Sequence, residues 1–193
     1  FGINVVNESS GTAIRGNFIG TDSSGNSVLA NVSGTRLQTG VELWSSNITV
    51  GGPGPEEGNV IAGAERCISV RTTQANVSNI SIRGNRIGTN AAGTARLGCD
   101  VGIRFLSSES FTFNSIQIGG PGAGDGNLIS GNGHAILLDS LSSRFGGTAI
   151  LNNKIGTDAS GVSPIANTIG IEVRNPVLNS VLIGGPSQGE GNV

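Results

Sequence analysis

The chain of 193 residues contains no Met, no Tyr, one Trp, one Lys and one His, and only 12% of its residues are charged. It also lacks any apolar run near the roughly 18 residues that a membrane-spanning helix requires, so no membrane insertion is expected. No charged-then-apolar leader opens it, which places any targeting signal outside this segment. One His and no Cys pair at ligand spacing exclude a zinc site. With a net charge of -2 there is no basic field for nucleic acid. Strong helix formers are scarce. What is abundant is Gly, at 33 residues, together with Ile, Val, Ser, Thr and Asn. That mixture favours short strands joined by tight turns, and the chain is long enough to build one all-β core.

The order of these residues is periodic. GNFIGTD at 16–22 returns as GNRIGTN at 84–90 and as NNKIGTD at 152–158, each 68 residues on. VGGPGPEEGNVIAG at 50–63 returns as IGGPGAGDGNLISG at 118–131 and begins again as IGGPSQGEGNV at 183–193. Short alternating runs fall between them: GINV, GVELW, CISV, GIRF, AILL and GIEV, two in each period. Apolar residues at every second position make each run a half-buried strand. After each comes a second run ending in an aliphatic residue (TAI, ITV, ISI, IQI, TAIL, VLI) and then a third (FIG, VIA, RIG, LIS, KIG, and Val193). Strand, strand, strand, turn therefore occurs six times.

A unit this small cannot bury its own apolar side, so the units must stack. Coils of three strands each predict a right-handed parallel β-helix of about six coils, roughly 29 Å long at about 4.8 Å per coil. The whole chain is one such domain, with repeats at about 1–67, 68–135 and 136–193. Asn precedes the third strand in every coil, at Asn17, Asn59, Asn85, Asn127, Asn153 and Asn192. A column of Asn side chains bonding amide to amide, in a conformation that Asn tolerates better than other residues, is expected to pin the tightest bend. The period is two coils because coils alternate. In one, Gly-Asn joins the second and third strands directly; in the next, a loop (PGPEEG, PGAGDG, PSQGEG) bulges out first. Neither end carries an amphipathic cap, so neighbouring solenoid coils are expected at both ends. Cys67 and Cys99 lie beside strand-like runs of successive layers, and the sequence is compatible with either a disulfide or two small buried thiols.

The combination of GNFIGTDSSGNSVLAN with GVELW, NITVGG and GNVIAG resembles the repeats of large bacterial secreted or cell-surface proteins with right-handed β-helix repeats, which share the pectin-lyase-like superfold. The resemblance covers essentially the whole chain. It implies the fold and an exported location, but not an activity, because this superfold hosts lyases, hydrolases, phage tail proteins and adhesive stalks.

In sugar-cleaving members of the superfold, the working surface runs along the outward side of a stacked strand column. On the first-strand column the outward residues are expected to be Asn4, Glu42, Ser69, Arg104, Leu137 and Glu172, flanked by Val6, Trp44, Arg71, Leu106, Asp139 and Arg174. A lyase needs a base near an anion-binding Arg, and a hydrolase needs paired carboxylates. Glu42 with Arg71 or Arg104, and Asp139 with Glu172, come nearest to such sets. Cross-strand charge pairs that keep a rod soluble use the same residues. Trp44, placed outside by the alternation, can stack on a sugar ring or on Arg71. His134 is expected in a turn.

Calcium is the one cofactor for which the sequence offers candidate ligands. Asp22 and Asp158 begin T-D-x-x-G turns and can either bind a cation or bond their own backbone; the middle copy has Asn90. Glu56 and Glu57, followed on the same column by Asp125 and Glu190, offer further carboxylates. The GGPGAGD string does not have the spacing of calcium-binding nonapeptides, and no helix follows to make its glycines a phosphate loop. Thr21, Thr89 and Thr157 stand on alternate coils only, too sparse for an ice-binding array. Five N-x-S/T sequons, at Asn7, Asn31, Asn47, Asn76 and Asn79, are about what random order gives in so Asn-rich a chain. The expected function is a non-catalytic structural, adhesive or glycan-binding section of an exported surface protein, with polysaccharide or other surface glycans as partners. The alternative is part of a polysaccharide lyase or glycoside hydrolase.

Overall fold

A computed structural model describes residues 1–6, 9–29, 36–72, 75–107, 111–140, 144–174, 177–178 and 180–193. Among these residues there is no helix, and the strands lie in three parallel sheets. The first strands of the six coils are Ile3–Val5, Leu37–Leu43, Ala64–Thr72, Val101–Ser107, His134–Ser140 and Ile169–Arg174. The second are Ala13–Ile14, Ile48–Gly51, Val77–Arg83 and Phe113–Gly119, then Arg144–Gly146 with Thr148–Leu151, and Val177–Leu178 with Val181–Ile183. The third are Phe18–Ile19, Val60–Ile61, Arg86–Ile87, Leu128–Ile129 and Lys154–Ile155. Val193 extends this last sheet by bonding backbone atoms of Asn153 and Ile155. The chain visits the sheets in rotation, each strand pairing with its counterpart one coil on, as a parallel β-helix requires.

Identical side chains stack because the register is constant. Val41, Ile68, Ile103, Ile136 and Ile171 pair in series down the first sheet, and Ile82, Ile118, Ile150 and Ile183 down the second. Ile19, Ile61, Ile87, Ile129 and Ile155 do so in the third. Burial of each such side chain in the interior coils, where exposure is 0%, favours folding by about 1.5–3 kcal/mol, and less at Ile155, Ile171 and Ile183 toward the last coil. Phe105, Phe113 and Phe145, all fully buried, interrupt the aliphatic interior with a cluster of rings whose centroids are 5.1–6.4 Å apart.

The asparagine column is continuous. Nδ2 of Asn17, Asn59, Asn85, Asn127 and Asn153 donates to Oδ1 of the next member, at 2.9, 2.8, 3.0, 2.8 and 2.9 Å, ending at Asn192. The same Oδ1 accepts the backbone N–H of the preceding Asn, and from Asn59 onward Nδ2 also donates to a second-strand carbonyl of the coil before. Each amide from Asn59 to Asn153 is thus shared between three layers.

One expectation is corrected here: the ladder asparagines are not themselves left-handed. The residue before them takes that conformation in the tight coils, with φ of 64° at Gly16, 69° at Gly84 and 57° at Asn152. In the looped coils, the preceding Gly58 and Gly126 are glycines for want of space. A Cβ there would lie 2.0 Å from the carbonyl oxygens of Gly84 and Asn152 in the next coil.

Cys67 and Cys99 are joined in a disulfide, with Cα atoms 5.8 Å apart, and both lie within the hydrophobic core. The bond links the first strand of coil three to the approach of coil four. Reducing it is expected to destabilise the fold by about 3–4 kcal/mol, the loop-closure value for the 32-residue separation, read as a lower denaturation midpoint in reductant. Asn127→Ala takes from a buried site the acceptor of the Asn85 backbone N–H, one of the three bonds of the Asn85 Nδ2 and the side-chain donor to the Ile82 carbonyl. It is expected to cost about 3–5 kcal/mol in chemical denaturation, whereas Asn17→Ala at the half-exposed end costs about 1 kcal/mol.

Candidate functional site

The first-strand face has the predicted register. Glu42 pairs with Asn4 and Ser69, Arg104 with Ser69 and Leu137, and Leu137 with Glu172; Asp139 pairs with Leu106 and Arg174. Outward direction does not mean access, however, because Glu42 is 1% exposed and Leu137 3%. Oε1 of Glu42 accepts a hydrogen bond from Ser69 Oγ at 3.2 Å and lies 3.5 Å from Arg71 Nε. The Arg71 guanidinium stands 5.1 Å from the Trp44 ring centroid, so Arg71 occupies one face of the ring. Arg104 does not join Glu42; it bonds Asp139 at 2.7 Å. Nor do Asp139 and Glu172 form a pair, since Glu172 is held by Arg174 at 2.7 Å. That bond first, and His134 after it, lowers the Glu172 carboxyl below its ordinary value.

His134 is not in a turn. Its backbone N–H, like that of Gly133, bonds the coil before, so the strand has already begun, and Nε2 lies 2.9 Å from Glu172 Oε2.

The T-D-x-x-G segments form small tabs beyond the third strand in coils one, three and five, each closed by an antiparallel bridge (Thr21 to Val28, Thr89 to Arg96, Thr157 to Pro164). The leading side chain bonds its own turn. Asp22 Oδ1 accepts from Ser24 and Asn26, Asn90 Oδ1 from Thr94 and Ala95, and Asp158 Oδ1 from Ser160, Gly161, Val162 and Ser163. The Ser24 hydroxyl leads the lowering of the Asp22 carboxyl, and the Ser160 hydroxyl leads that of Asp158, to about 2.

The protruding loops at 52–58, 120–126 and 185–191 close in the same way. Glu57, Asp125 and Glu190 each accept the N–H three residues before, at Gly54, Gly122 and Ser187. Glu57 also pairs with Arg15, and Asp125 with Arg83 at 3.4 Å; Glu56 is exposed. Among the described residues no three His, Cys, Asp or Glu side chains converge as a metal site.

Together these excursions build a site outside the catalytic and binding residues that the sequence singles out. Loops leave the chain just before the third strands and tabs just after them, so the two stacks flank the third-strand sheet. A cleft of about 490 Å³ lies there, extending over coils two to five. Pro53, Gly54 and Gly124 line one side and Ala159 the other, and the floor includes ladder residues Asn85 and Asn127. Arg86, Leu128 and Lys154 stand in register on that floor. The repeat alone could have indicated the cleft, since it puts both excursions beside one strand column.

Asn47 and Asn79 occupy left-handed positions (φ 58° and 57°), with Asn79 Nδ2 donating to Asn47 Oδ1 at 2.8 Å. Asn76 accepts the Thr112 N–H at 2.9 Å, and sequons Asn7 and Asn31 lie outside the described residues. No protein-family model matches the chain, and no curated protein or solved structure matches it either.

The Asp158 carboxylate, held below its unfolded value of about 3.9, contributes stability fully above that pH and loses it as pH falls toward about 2. Asp158→Asn retains an acceptor, as Asn90 does in the middle tab. Thermal melts between pH 5 and 2 are therefore expected to show a shallower acid loss in Asp158→Asn than in the parent.

Proposed function

We propose that this chain is a non-catalytic β-solenoid segment of an exported surface protein, serving as a structural, adhesive or glycan-binding rod. The observation that carries this reading is the fate of the first-strand charges. Glu42 is buried under Ser69 and Arg71, Arg104 is bonded to Asp139, and Glu172 is bonded to Arg174. A general acid or base must come within hydrogen-bond reach of its substrate. These groups are instead committed to neighbouring side chains: Glu42 and Arg104 to partners on the adjacent strand, as in cross-strand pairs that hold a sheet face in register, and Glu172 to Arg174 of its own strand. An extracellular location is supported by the Cys67–Cys99 disulfide, since such bonds persist mainly in oxidising compartments.

The competing reading, a polysaccharide lyase or glycoside hydrolase, makes a different prediction. Size-exclusion profiles of acidic and neutral polysaccharides are expected to be unchanged after overnight incubation with the folded chain, with and without calcium. Shortening of any polymer, abolished by Glu42→Gln or Arg104→Ala, would overturn the rod and restore the first-strand face as an active site.

A further inference from the structure

We propose that the trough over the third strands binds an acidic polysaccharide along the rod axis, with its carboxylates or sulfates on Arg86 and Lys154. This deepens the glycan-binding reading above and rests on it. Three observations converge.

The first is charge without a partner. Among the described residues, no hydrogen bond or ion pair engages the half-buried Arg86 guanidinium, while the carboxylates on the loop side are committed: Asp125 to Arg83 and Gly122, Glu57 to Arg15 and Gly54. Lys154 Nζ donates once, to the Ala159 carbonyl of its own tab, which leaves two N–H donors. Asp158 has turned Oδ1 onto its own turn's donors.

The second is spacing. Arg86 and Lys154 are in register through Leu128, two coils apart, hence about 9.6 Å. One coil height is close to the advance of one pyranose residue along an extended chain, so the two cations meet anionic groups on alternate sugars.

The third is shape. The cleft extends over four coils, its volume lies in the range of about 300–1,000 Å³ usual for ligand clefts, and its sides are Gly, Pro and Ala, which let a polymer approach the backbone closely. The outward aromatic of this column, Phe18, is 47% exposed but stands on coil one and does not line the cleft, whose lining holds no aromatic residue. Neutral sugars therefore lack a stacking platform here, and recognition falls to the cations.

The test is isothermal titration of the whole chain at low salt with oligogalacturonate, a neutral cello-oligosaccharide and inorganic polyphosphate. Oligogalacturonate is expected to bind, more weakly as salt rises, and the two controls not to. Arg86→Ala with Lys154→Ala is expected to weaken binding about tenfold or more, while Arg36→Ala, on the far-off Asp100 pair, does not. Circular dichroism checks folding; if loss of Lys154 disturbs its tab, Arg86→Gln alone carries the test. Unchanged affinity in these variants would overturn the trough but leave a glycan-binding rod intact. Failure of every oligosaccharide to bind would remove both, and polyphosphate binding as tightly would reduce the site to a charge trap and overturn the saccharide.

Discussion

The fold depends on one interaction repeated down the rod, the asparagine amide shared between layers. From Asn59 onward each Oδ1 accepts two N–H groups from the preceding coil and each Nδ2 returns a bond to that coil's second strand. Buried at the inside of a bend, these groups would be costly if unmatched. Matching them requires every coil to arrive at one height and one rotation, and that requirement fixes the register of all three sheets. The isoleucine columns follow from it: once the ladder sets the phase, an Ile in one coil must sit over an Ile in the next. The disulfide and the ring cluster fasten coils three to five further, but they add to an alignment that already exists.

Much of this architecture was legible in the letters. Six asparagines at a repeated place, with an alternating run before each, leave little choice of fold, because a unit that cannot bury its own face must stack. The outward columns on the first strands were legible too, since alternation fixes the side of a strand to which each residue points. Trp44 and Arg71 met because both lie in the outer column of adjacent coils. Alternation does not say what lies over a side chain, and Glu42, though it points outward, is covered.

The trough was missed for a related reason. Its floor residues, Arg86, Leu128 and Lys154, are the first members of two-residue strands, too short to display a pattern, and its sides belong to segments that read as ordinary turns. That the turn before a strand and the turn after it face each other follows only from how tightly the coil closes. The left-handed residues show the same limit. Gly-Asn reads alike at 16–17 and 58–59, yet one glycine is there for its φ and the other for a carbonyl oxygen in the next coil.

The tabs reach past the coil that lies between them. Ala91 N–H bonds Gly25 O, and Ala159 N–H bonds Gly93 O, both at 2.9 Å, so coil one is tied to coil three and coil three to coil five. A rod held in this way has a parity. Inserting or deleting one coil would set a tab against a layer that has none and a loop against a tight bend, breaking both stacks at once, whereas adding or removing two preserves every contact. Length in such a protein can change by duplication only in even steps, and the 68-residue repeat is the smallest length that can be copied without leaving a fault.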